Sequence, residues 1–194
     1  MIAEGRAVAF DLDMTLVDSR PVSRRALERL VAEHGYELDV AALMGSYGLP
    51  LSGWLPIGSD HALFRSLQMK DISSAQSMPG ALAALAAARR CGARVVVVTG
   101  ATRAIAVEML RSVGLSVDCL RADVWAAGKV GPLREERCWA FVGDHADDMF
   151  AARQAGAIAI GVASATSRPV GADVELEDLH AFALWLEDRL TSRQ

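Results

Sequence analysis

The chain has 194 residues, and 52% of them are hydrophobic, which is enough for one α/β domain with a modest insertion. Its 20 basic and 24 acidic side chains give a net charge of −4 without long runs of one sign, so we expect no nucleic-acid partner. No apolar run approaches the roughly 20 residues that span a bilayer, so we expect no membrane partner either. Three widely spaced cysteines indicate free thiols in a cytoplasmic protein rather than disulfides or a zinc site.

Short apolar runs alternate with helical patterns along most of the chain. The runs that predict strands lie at residues 7–10, 95–98, 117–120, 139–142 and 158–162. Helices are predicted between them, each ending near a glycine: Gly92, Gly114 and Gly156. A last amphipathic helix carries Leu179, Phe182, Leu186 and Leu190. Strands that alternate with helices predict a doubly wound parallel sheet of the Rossmann-like type.

The alternation is interrupted between residues 17 and 78. Pro21 opens a helix there and Gly35 closes it. The residues predicted to face inward from this helix are Leu27, Leu30 and Val31. Glycines and prolines then recur between residues 45 and 58 too often for a long helix. We predict a small helical insertion at residues 17–78, which we call the cap, and an α/β core made of residues 1–16 and 79–194.

Polar residues follow three of the predicted strands directly. They are Asp11, Asp13 and Thr15 after the first strand, Thr99 and Gly100 after the second, and Asp144, Asp147 and Asp148 after the fourth. Open parallel sheets bind ligands beyond the carboxyl ends of their strands, so we expect these residues to converge. Asp11 and Asp13 would face one side and repel each other unless a cation lay between them. With Asp144 or Asp148 they would form an oxygen-only site suited to Mg²⁺.

Each of these residues also has a simpler interpretation. The three later aspartates could belong to the first turn of a helix, where the helix dipole favours carboxylates. Thr99 could be the N-cap of a helix, a role compatible with phosphate binding. Asp11 and Asp13 could form an ordinary turn. All of these alternatives together would require several coincidences at consecutive strand ends.

Four motifs in order resemble those of the haloacid dehalogenase-like superfamily. AVAFDLDMTLVDS resembles the D-x-D-x-T signature, VVVVTG the second motif, Lys129 the third and VGDHADD the fourth. MPGALAAL before the second motif and YGLPLSGWL in the cap resemble the phosphoglycolate phosphatase-like branch, which has a helical cap. The resemblance implies a Mg²⁺-dependent phosphatase that acts on a small phosphorylated metabolite.

The resemblance also implies a role for each residue. Asp11 would be the nucleophile that forms an aspartyl-phosphate, and Asp13 would be the general acid and then the base. Asp11, the backbone carbonyl of Asp13, and Asp144 would bind Mg²⁺, with Asp148 and Thr15 supporting these ligands. The phosphate would be bound by Asp11, Leu12, Asp13, Thr99, Gly100 and Lys129.

Three features depart from the family pattern. The third motif reads KVGP where close relatives often have K-P-x-P, so only Pro132 is kept beside Lys129. Met14 stands where many relatives have glycine, and we expect it to be tolerated with a negative φ. The 15 residues from Lys129 to Asp144 form a short interval, which predicts that a crossover helix has been lost. Lys129 is nevertheless one of two lysines in the chain. The other, Lys70, lies in the cap and could face the substrate or be a solvated charge, and we predict the solvated charge.

Four cap residues are candidates for contacts with the leaving group of the substrate: Tyr47, Trp54, His61 and Arg65. For Trp54 the simpler interpretation is a core residue, and for His61 and Arg65 it is surface exposure. Two other functions remain open. One is a phosphomutase or phosphotransferase with the same nucleophile, and the other is a non-catalytic binding protein that has kept the fold.

Overall fold

The computed structural model describes residues 6–47, 54–56 and 60–191. In chain order the strands are β1 (Ala7–Phe10), β2 (Val17–Asp18), β3 (Gln76–Ser77), β4 (Arg94–Val98), β5 (Cys119–Arg121), β6 (Cys138–Gly143), β7 (Ile158–Val162) and β8 (Val174–Leu176). The helices are α1 (Arg20–His34), α2 (Val40–Gly45), α3 (His61–Lys70), α4 (Ala81–Arg90), α5 (Arg103–Ser112), α6 (Val130–Glu135), α7 (Ala146–Ala155) and α8 (Leu179–Thr191). Short 3₁₀ helices lie at Ile72–Ser74 and Ala126–Lys129.

Six strands form one parallel sheet in the order β5-β4-β1-β6-β7-β8. From β1 the chain adds β4 and then β5 on one side. It then crosses to the other side of β1 and adds β6, β7 and β8. This is the doubly wound order, and it places a crevice beside β1, where the two halves of the sheet diverge. All four residues of β1 are fully buried, as expected for a central strand covered on both faces. The predicted fold class is confirmed.

Two apolar layers cover the two faces of the sheet. On one face, α4, α5 and α8 pack over residues that include Phe10 and Val97, and the Phe10 and Phe182 rings meet edge to face with centroids 5.5 Å apart. On the other face, α6 and α7 pack over Phe141 and Val98. Burial on both faces explains why the strands appear in the sequence as unbroken apolar runs.

Several predicted elements need correction. Val31 is exposed rather than inward. It follows the buried Val22 by nine residues, which places it about 180° around α1, on the opposite side of the helix. The third predicted strand begins at Cys119 rather than at residue 117. The sequence analysis also missed β8 and the small sheet formed by β2 and β3. Leu190 lies in α8 as predicted, but its side chain is outside the described part of the chain.

The cap helices α1, α2 and α3 surround an apolar cluster of their own. Its buried members are Ala26, Leu27, Leu30, Met44, Trp54, Leu55, Phe64 and Leu67. The chain enters the cap through β2 and leaves it through β3, and these two strands pair antiparallel. The predicted turns at Gly48, Pro50, Gly53 and Gly58 lie outside the described residues.

Two further sequence expectations concern the cysteines and the membrane. Cys91, Cys119 and Cys138 are free thiols, and the first and last of them are buried. Among the helices that the structure describes, none combines the length and the apolar character needed to cross a bilayer.

Candidate active site

Asp11 stands at the carboxyl end of β1, beside the crevice of the sheet. Its backbone N–H donates to the carbonyl of Val142 on β6 at 2.9 Å, so the residue still belongs to the sheet. The chain then turns, because the N–H groups of Leu16 and Val17 both donate to the carbonyl of Leu12. The side chain of Leu12 is fully buried, so its predicted contact with phosphate could come only from its backbone.

The tight turn places Met14 in a left-handed conformation, with φ of 61°. The expected negative φ is therefore wrong. The N–H of Met14 donates to the carbonyl of Val17 at 2.8 Å, and its side chain is buried while lining the cleft above the sheet. Left-handed conformations cost about 1 kcal/mol or more for a residue with a Cβ, so the packing of the side chain must offset this strain.

Lys129 lies between two carboxylates. Its Nζ donates to Asp11 Oδ1 at 2.8 Å and to Asp148 Oδ1 at 2.7 Å, and only 4% of the residue is exposed. The rings of Trp125 and Phe141 enclose the ammonium group, with centroids 5.9 and 5.5 Å from Nζ. The resulting pKa of Lys129 is raised although burial opposes the charge, because Asp11 and Asp148 stabilise the ammonium. Lys129 is therefore charged at neutral pH.

The short interval after Lys129 has a simple structural origin. The predicted loss of a crossover helix is wrong, because α6 is present but spans only six residues. It begins directly after Lys129 and is followed within three residues by β6. The 3₁₀ helix that ends in Lys129 starts with Ala126 at a φ of 47°, and Lys129 Nζ reaches Asp11 at the carboxyl end of β1.

Three carboxylates form a compact acidic cluster. One oxygen each from Asp11, Asp144 and Asp148 lies within 4.8 Å of the others. Burial raises the pKa of Asp11 well above its ordinary value, Lys129 opposes this, and the charges of Asp148 and Asp144 raise it further. Burial likewise raises the pKa of Asp144 to about 6, against a hydrogen bond from Ser164. One ammonium does not balance three carboxylates, so this oxygen-only cluster has the charge and the donor type that suit a divalent cation such as Mg²⁺.

Asp148 combines two of the roles considered for it. Its Oδ2 accepts the backbone N–H of His145 at 3.3 Å, which caps α7, while its Oδ1 accepts from Lys129. Both oxygens of Asp148 thus have partners, as expected for a residue that supports the cluster. Gly143 is required beside it, because a Cβ at that position would approach Asp148 Oδ2 to 2.5 Å. Asp147 is the more exposed acid, and it lies in the first turn of α7 as the simpler interpretation predicts.

The residues after β4 adjoin the same cluster. Thr99 is buried and its Oγ1 accepts the N–H of Ala101 at 3.0 Å. The N-cap of α5 is Thr102, so the interpretation of Thr99 as a helix cap is wrong. Gly100 lies against the Trp125 ring, where a Cβ would come within 2.4 Å of Cε3. On the other side of the cluster, Thr15 Oγ1 lies 3.5 Å from Asp144 Oδ1.

Asp13 is held by a residue that the sequence analysis missed. Its Oδ1 accepts the Ser19 hydroxyl at 2.5 Å, and the Ser19 oxygen lies 2.8 Å from the Tyr47 hydroxyl. Burial raises the pKa of Asp13, while the hydrogen bond from Ser19 and the charge of Lys129 oppose the rise. Ser19 precedes α1 and resembles an ordinary N-cap in the sequence, so no local signal distinguishes it.

A cleft between the core and the cap contains these groups. From the core it is lined by Asp11, Asp13, Thr99, Gly100, Lys129 and Asp144, and from the cap by Tyr47, Trp54, Phe64, Arg65 and Gln68. Three of the four cap candidates therefore line the cleft. The fourth, His61, does not, and its ring Nε2 lies 3.0 Å from the carbonyl of Leu55. Lys70 is exposed at the end of α3 and does not line the cleft, as predicted.

Comparison with solved structures identifies several proteins of the same fold. A haloacid dehalogenase-like family hydrolase from Streptococcus pneumoniae is 20% identical, with a TM-score of 0.76 over 97% of this chain and 98% of its own. A predicted phosphoglycolate phosphatase from Haemophilus somnus is 17% identical, with a TM-score of 0.75 over 100% of both chains. CbbY from Rhodobacter sphaeroides, solved in complex with phosphate, is 20% identical, with a TM-score of 0.67 over 90% and 94% of the two chains.

Sequence comparison gives one decisive match. No curated protein is significantly similar to the chain. The family model of the haloacid dehalogenase-like hydrolases, however, matches residues 8–153, which include most of β1, the whole cap, Lys129 and the acidic cluster. The chain therefore belongs to the haloacid dehalogenase-like hydrolase family and is a hydrolytic enzyme.

Proposed function

We propose that this protein is a Mg²⁺-dependent phosphatase that hydrolyses a small phosphate monoester through an aspartyl-phosphate on Asp11. The main support is the contact between Lys129 Nζ and Asp11 Oδ1 at 2.8 Å, at the floor of a cleft that also contains Asp13. Burial raises the pKa of Asp11 and so favours the protonated carboxyl, which is a poor nucleophile. The ammonium group of Lys129 lowers the pKa of Asp11 against that effect and so favours the reactive carboxylate.

The proposed reaction has two balanced steps. In the first, a carboxylate oxygen of Asp11 forms a bond to phosphorus while the ester P–O bond breaks, and Asp13 gives its proton to the leaving oxygen. In the second, water attacks the phosphorus of the aspartyl-phosphate, the bond between phosphorus and the Asp11 oxygen breaks, Asp13 takes a proton from that water, and inorganic phosphate leaves with the Asp11 carboxylate restored. Lys129 and Thr99 would donate hydrogen bonds to the phosphoryl oxygens during both steps.

The acidic cluster fits a bound Mg²⁺. Asp11, Asp144 and the backbone carbonyl of Asp13 would hold it, and Asp148 would keep its two present partners, Lys129 and the N–H of His145. A bound Mg²⁺ supplies positive charge that offsets the negative charge of the phosphoryl group. With the metal in that place, Lys129 would hold the nucleophile and Asp13 would transfer the proton.

The cap side of the cleft supports a small organic leaving group. Tyr47, Trp54 and Phe64 form an aromatic wall opposite the acidic cluster, and Arg65 adds a positive charge at the cleft. The proposed substrate is therefore a small phosphorylated metabolite. The same fold occurs in a protein described as a predicted phosphoglycolate phosphatase and in one that binds phosphate, which agrees with this substrate class.

The test is release of inorganic phosphate from p-nitrophenyl phosphate by the purified protein. We expect turnover with added Mg²⁺, none with EDTA, and none in the Asp11→Asn variant under either condition. The variant is the matched control, because it keeps the shape of the side chain and excludes a contaminating phosphatase. Turnover that persists in EDTA would contradict the metal dependence, and turnover in Asp11→Asn would contradict the nucleophile.

A second measurement distinguishes hydrolysis from phosphoryl transfer. Each substrate of a panel of phosphorylated metabolites is incubated with the enzyme, and both inorganic phosphate and ester phosphate are followed. Hydrolysis releases one inorganic phosphate for each ester consumed. Conserved ester phosphate would instead identify a phosphomutase or phosphotransferase that uses the same nucleophile.

A further inference from the structure

A chain of hydrogen bonds connects the cap to Asp13. The amide Nε2 of Gln68 on α3 donates to Ser23 Oγ at 3.0 Å, and Ser23 Oγ donates to the Tyr47 hydroxyl at 3.1 Å. The Tyr47 hydroxyl lies 2.8 Å from Ser19 Oγ, which donates to Asp13 Oδ1 at 2.5 Å. All four contacts join side chains, and the separations along the sequence range from 6 to 45 residues.

The direction of this chain follows from its two ends. An amide N–H of Gln68 can only donate, and each hydroxyl has a single proton to give. Ser23 therefore accepts from Gln68 and donates to Tyr47, Tyr47 donates to Ser19, and Ser19 donates to Asp13. Hydrogen bonds that all point the same way strengthen one another. Asp13 Oδ1 is thus committed as an acceptor from Ser19, and Thr99 also donates to the Asp13 carboxyl group, which lines the cleft.

The linking residues have no competing local role. Ser19 occupies the N-cap position of α1, but its hydroxyl oxygen accepts no capping N–H, and its one proton is donated to Asp13. Ser19 and Ser23 are both fully buried. The Tyr47 ring packs edge to face on Trp54, with centroids 5.3 Å apart, so the apolar cluster of the cap determines where the hydroxyl lies.

We propose that Ser19 and Tyr47 are positioning residues for Asp13. Ser19 holds the carboxyl group so that Oδ2 faces the leaving oxygen, and Tyr47 holds the hydroxyl of Ser19 in the donating orientation. Because Tyr47 belongs to the cap, the orientation of the acid depends on the placement of the cap over the core. This inference rests on the proposed function, in which Asp13 protonates the leaving group.

The test uses a series of phenyl phosphates that differ in the basicity of the leaving phenol, from p-nitrophenyl to unsubstituted phenyl to p-methoxyphenyl phosphate. A good leaving group such as p-nitrophenolate needs little protonation, whereas a basic one depends on the acid. Tyr47→Phe should lower kcat/KM for phenyl phosphate about threefold to tenfold, the range for one lost hydrogen bond, and change p-nitrophenyl phosphate less than twofold. Ser19→Ala should show a larger difference, and Asp13→Asn the largest.

A double variant tests whether Tyr47 acts through Ser19. In the Ser19→Ala background, Tyr47→Phe should cause no further change in the dependence on the leaving group, because the link is already broken. Tyr36→Phe is the matched control, since Tyr36 is the other tyrosine of the chain and its hydroxyl bonds Asp60 instead. That variant should match wild type on every substrate.

Two outcomes would overturn the inference. One is an equal loss on all three substrates in Tyr47→Phe, which would indicate a general structural role. The other is additivity of Ser19→Ala and Tyr47→Phe, which would show independent action. A wild-type protein that hydrolyses none of the substrates would instead overturn the proposed function, so the two failures are distinguishable.

Discussion

Replacement of Lys129 should separate its chemical role from its structural one. The ammonium group makes two short contacts, at 2.8 and 2.7 Å, with carboxylates that are themselves buried. Loss of a preorganised charge at such a site typically costs about 10²- to 10³-fold in rate, on the order of 3 to 4 kcal/mol of transition-state stabilisation. We therefore expect kcat/KM of Lys129→Ala to fall by this factor with saturating Mg²⁺.

Lys129→Arg should not restore the activity. The guanidinium group keeps the charge, but it is planar and larger than an ammonium group. The Trp125 and Phe141 rings enclose the present Nζ, with centroids within 5.9 Å, and leave little room for it. Lys70→Arg is the matched control, because Lys70 is the other lysine of the chain and is exposed. It should retain wild-type activity.

Stability supplies the second measurement on Lys129. Removal of one partner from a buried ion pair typically costs about 3 to 5 kcal/mol, because the remaining charges are left uncompensated. At about 2 to 4 °C per kcal/mol, Lys129→Ala should lower Tm in EDTA by roughly 6 to 20 °C, and added Mg²⁺ should restore part of this loss by binding the folded state.

If Lys129→Ala retained more than about a tenth of the wild-type activity, the proposed contact of Lys129 with the phosphoryl group would be wrong.

Three other predictions follow from the structure. Asp11→Asn should abolish turnover while its far-UV circular dichroism stays native, and any trapped phosphoenzyme detected by mass spectrometry in this variant would contradict the assignment of the nucleophile. Glu136 is buried and accepts hydrogen bonds from Arg94 at 2.9 Å and from Arg121 at 2.8 Å, so Glu136→Gln should cost about 2 kcal/mol and lower Tm by roughly 4 to 8 °C at pH 7. Burial opposes ionisation of Glu136, but the hydrogen bonds from Arg121 and Arg94 prevail and lower its pKa below the ordinary 4.5. The stabilising effect of Glu136 is therefore present above pH 4.5 and is lost as the pH falls through the lowered pKa. A difference in Tm between Glu136→Gln and wild type that does not shrink on acidification would refute this. Met14→Gly should be more stable than Met14→Ala by about 1 kcal/mol in denaturant unfolding, because φ at this position is 61°. This is the reverse of the usual order of glycine and alanine. A more stable alanine variant would show that the backbone of Met14 is not strained.

The sequence predicted the parts of the fold that depend on local pattern. The bounds of β1 and β7 agree with the prediction because each strand is a continuous apolar run buried on the sheet. The edge strand β8 was missed, because its three residues are only partly buried and alternate around the exposed Glu175. Val31 was misplaced because apolar character alone does not identify the buried face of a helix.

The site was predictable to the extent that it lies at strand ends. Asp11, Thr99 and Asp144 follow parallel strands, so the order of the strands brings them together. Ser19 was not predictable, because its contact with Asp13 depends on the turn that follows β1 and on a tyrosine 28 residues away. Tyr47 was expected to contact a leaving group, and its bond toward Asp13 depends on how the cap packs.

The antiparallel pair β2 and β3 has a consequence for how this enzyme can change during evolution. The chain leaves and re-enters the core at neighbouring positions, since Val17 pairs with Ser77 and Asp18 with Gln76. Insertions or deletions within the cap therefore leave the spacing of these two exits unchanged, and the entropy of closing a loop rises only slowly with its length. The cap can thus be lengthened, shortened or exchanged while the strand that carries Asp11 keeps its neighbours, so changes in the cap that keep the contacts of Ser19 and Tyr47 need not displace the residues at the strand ends.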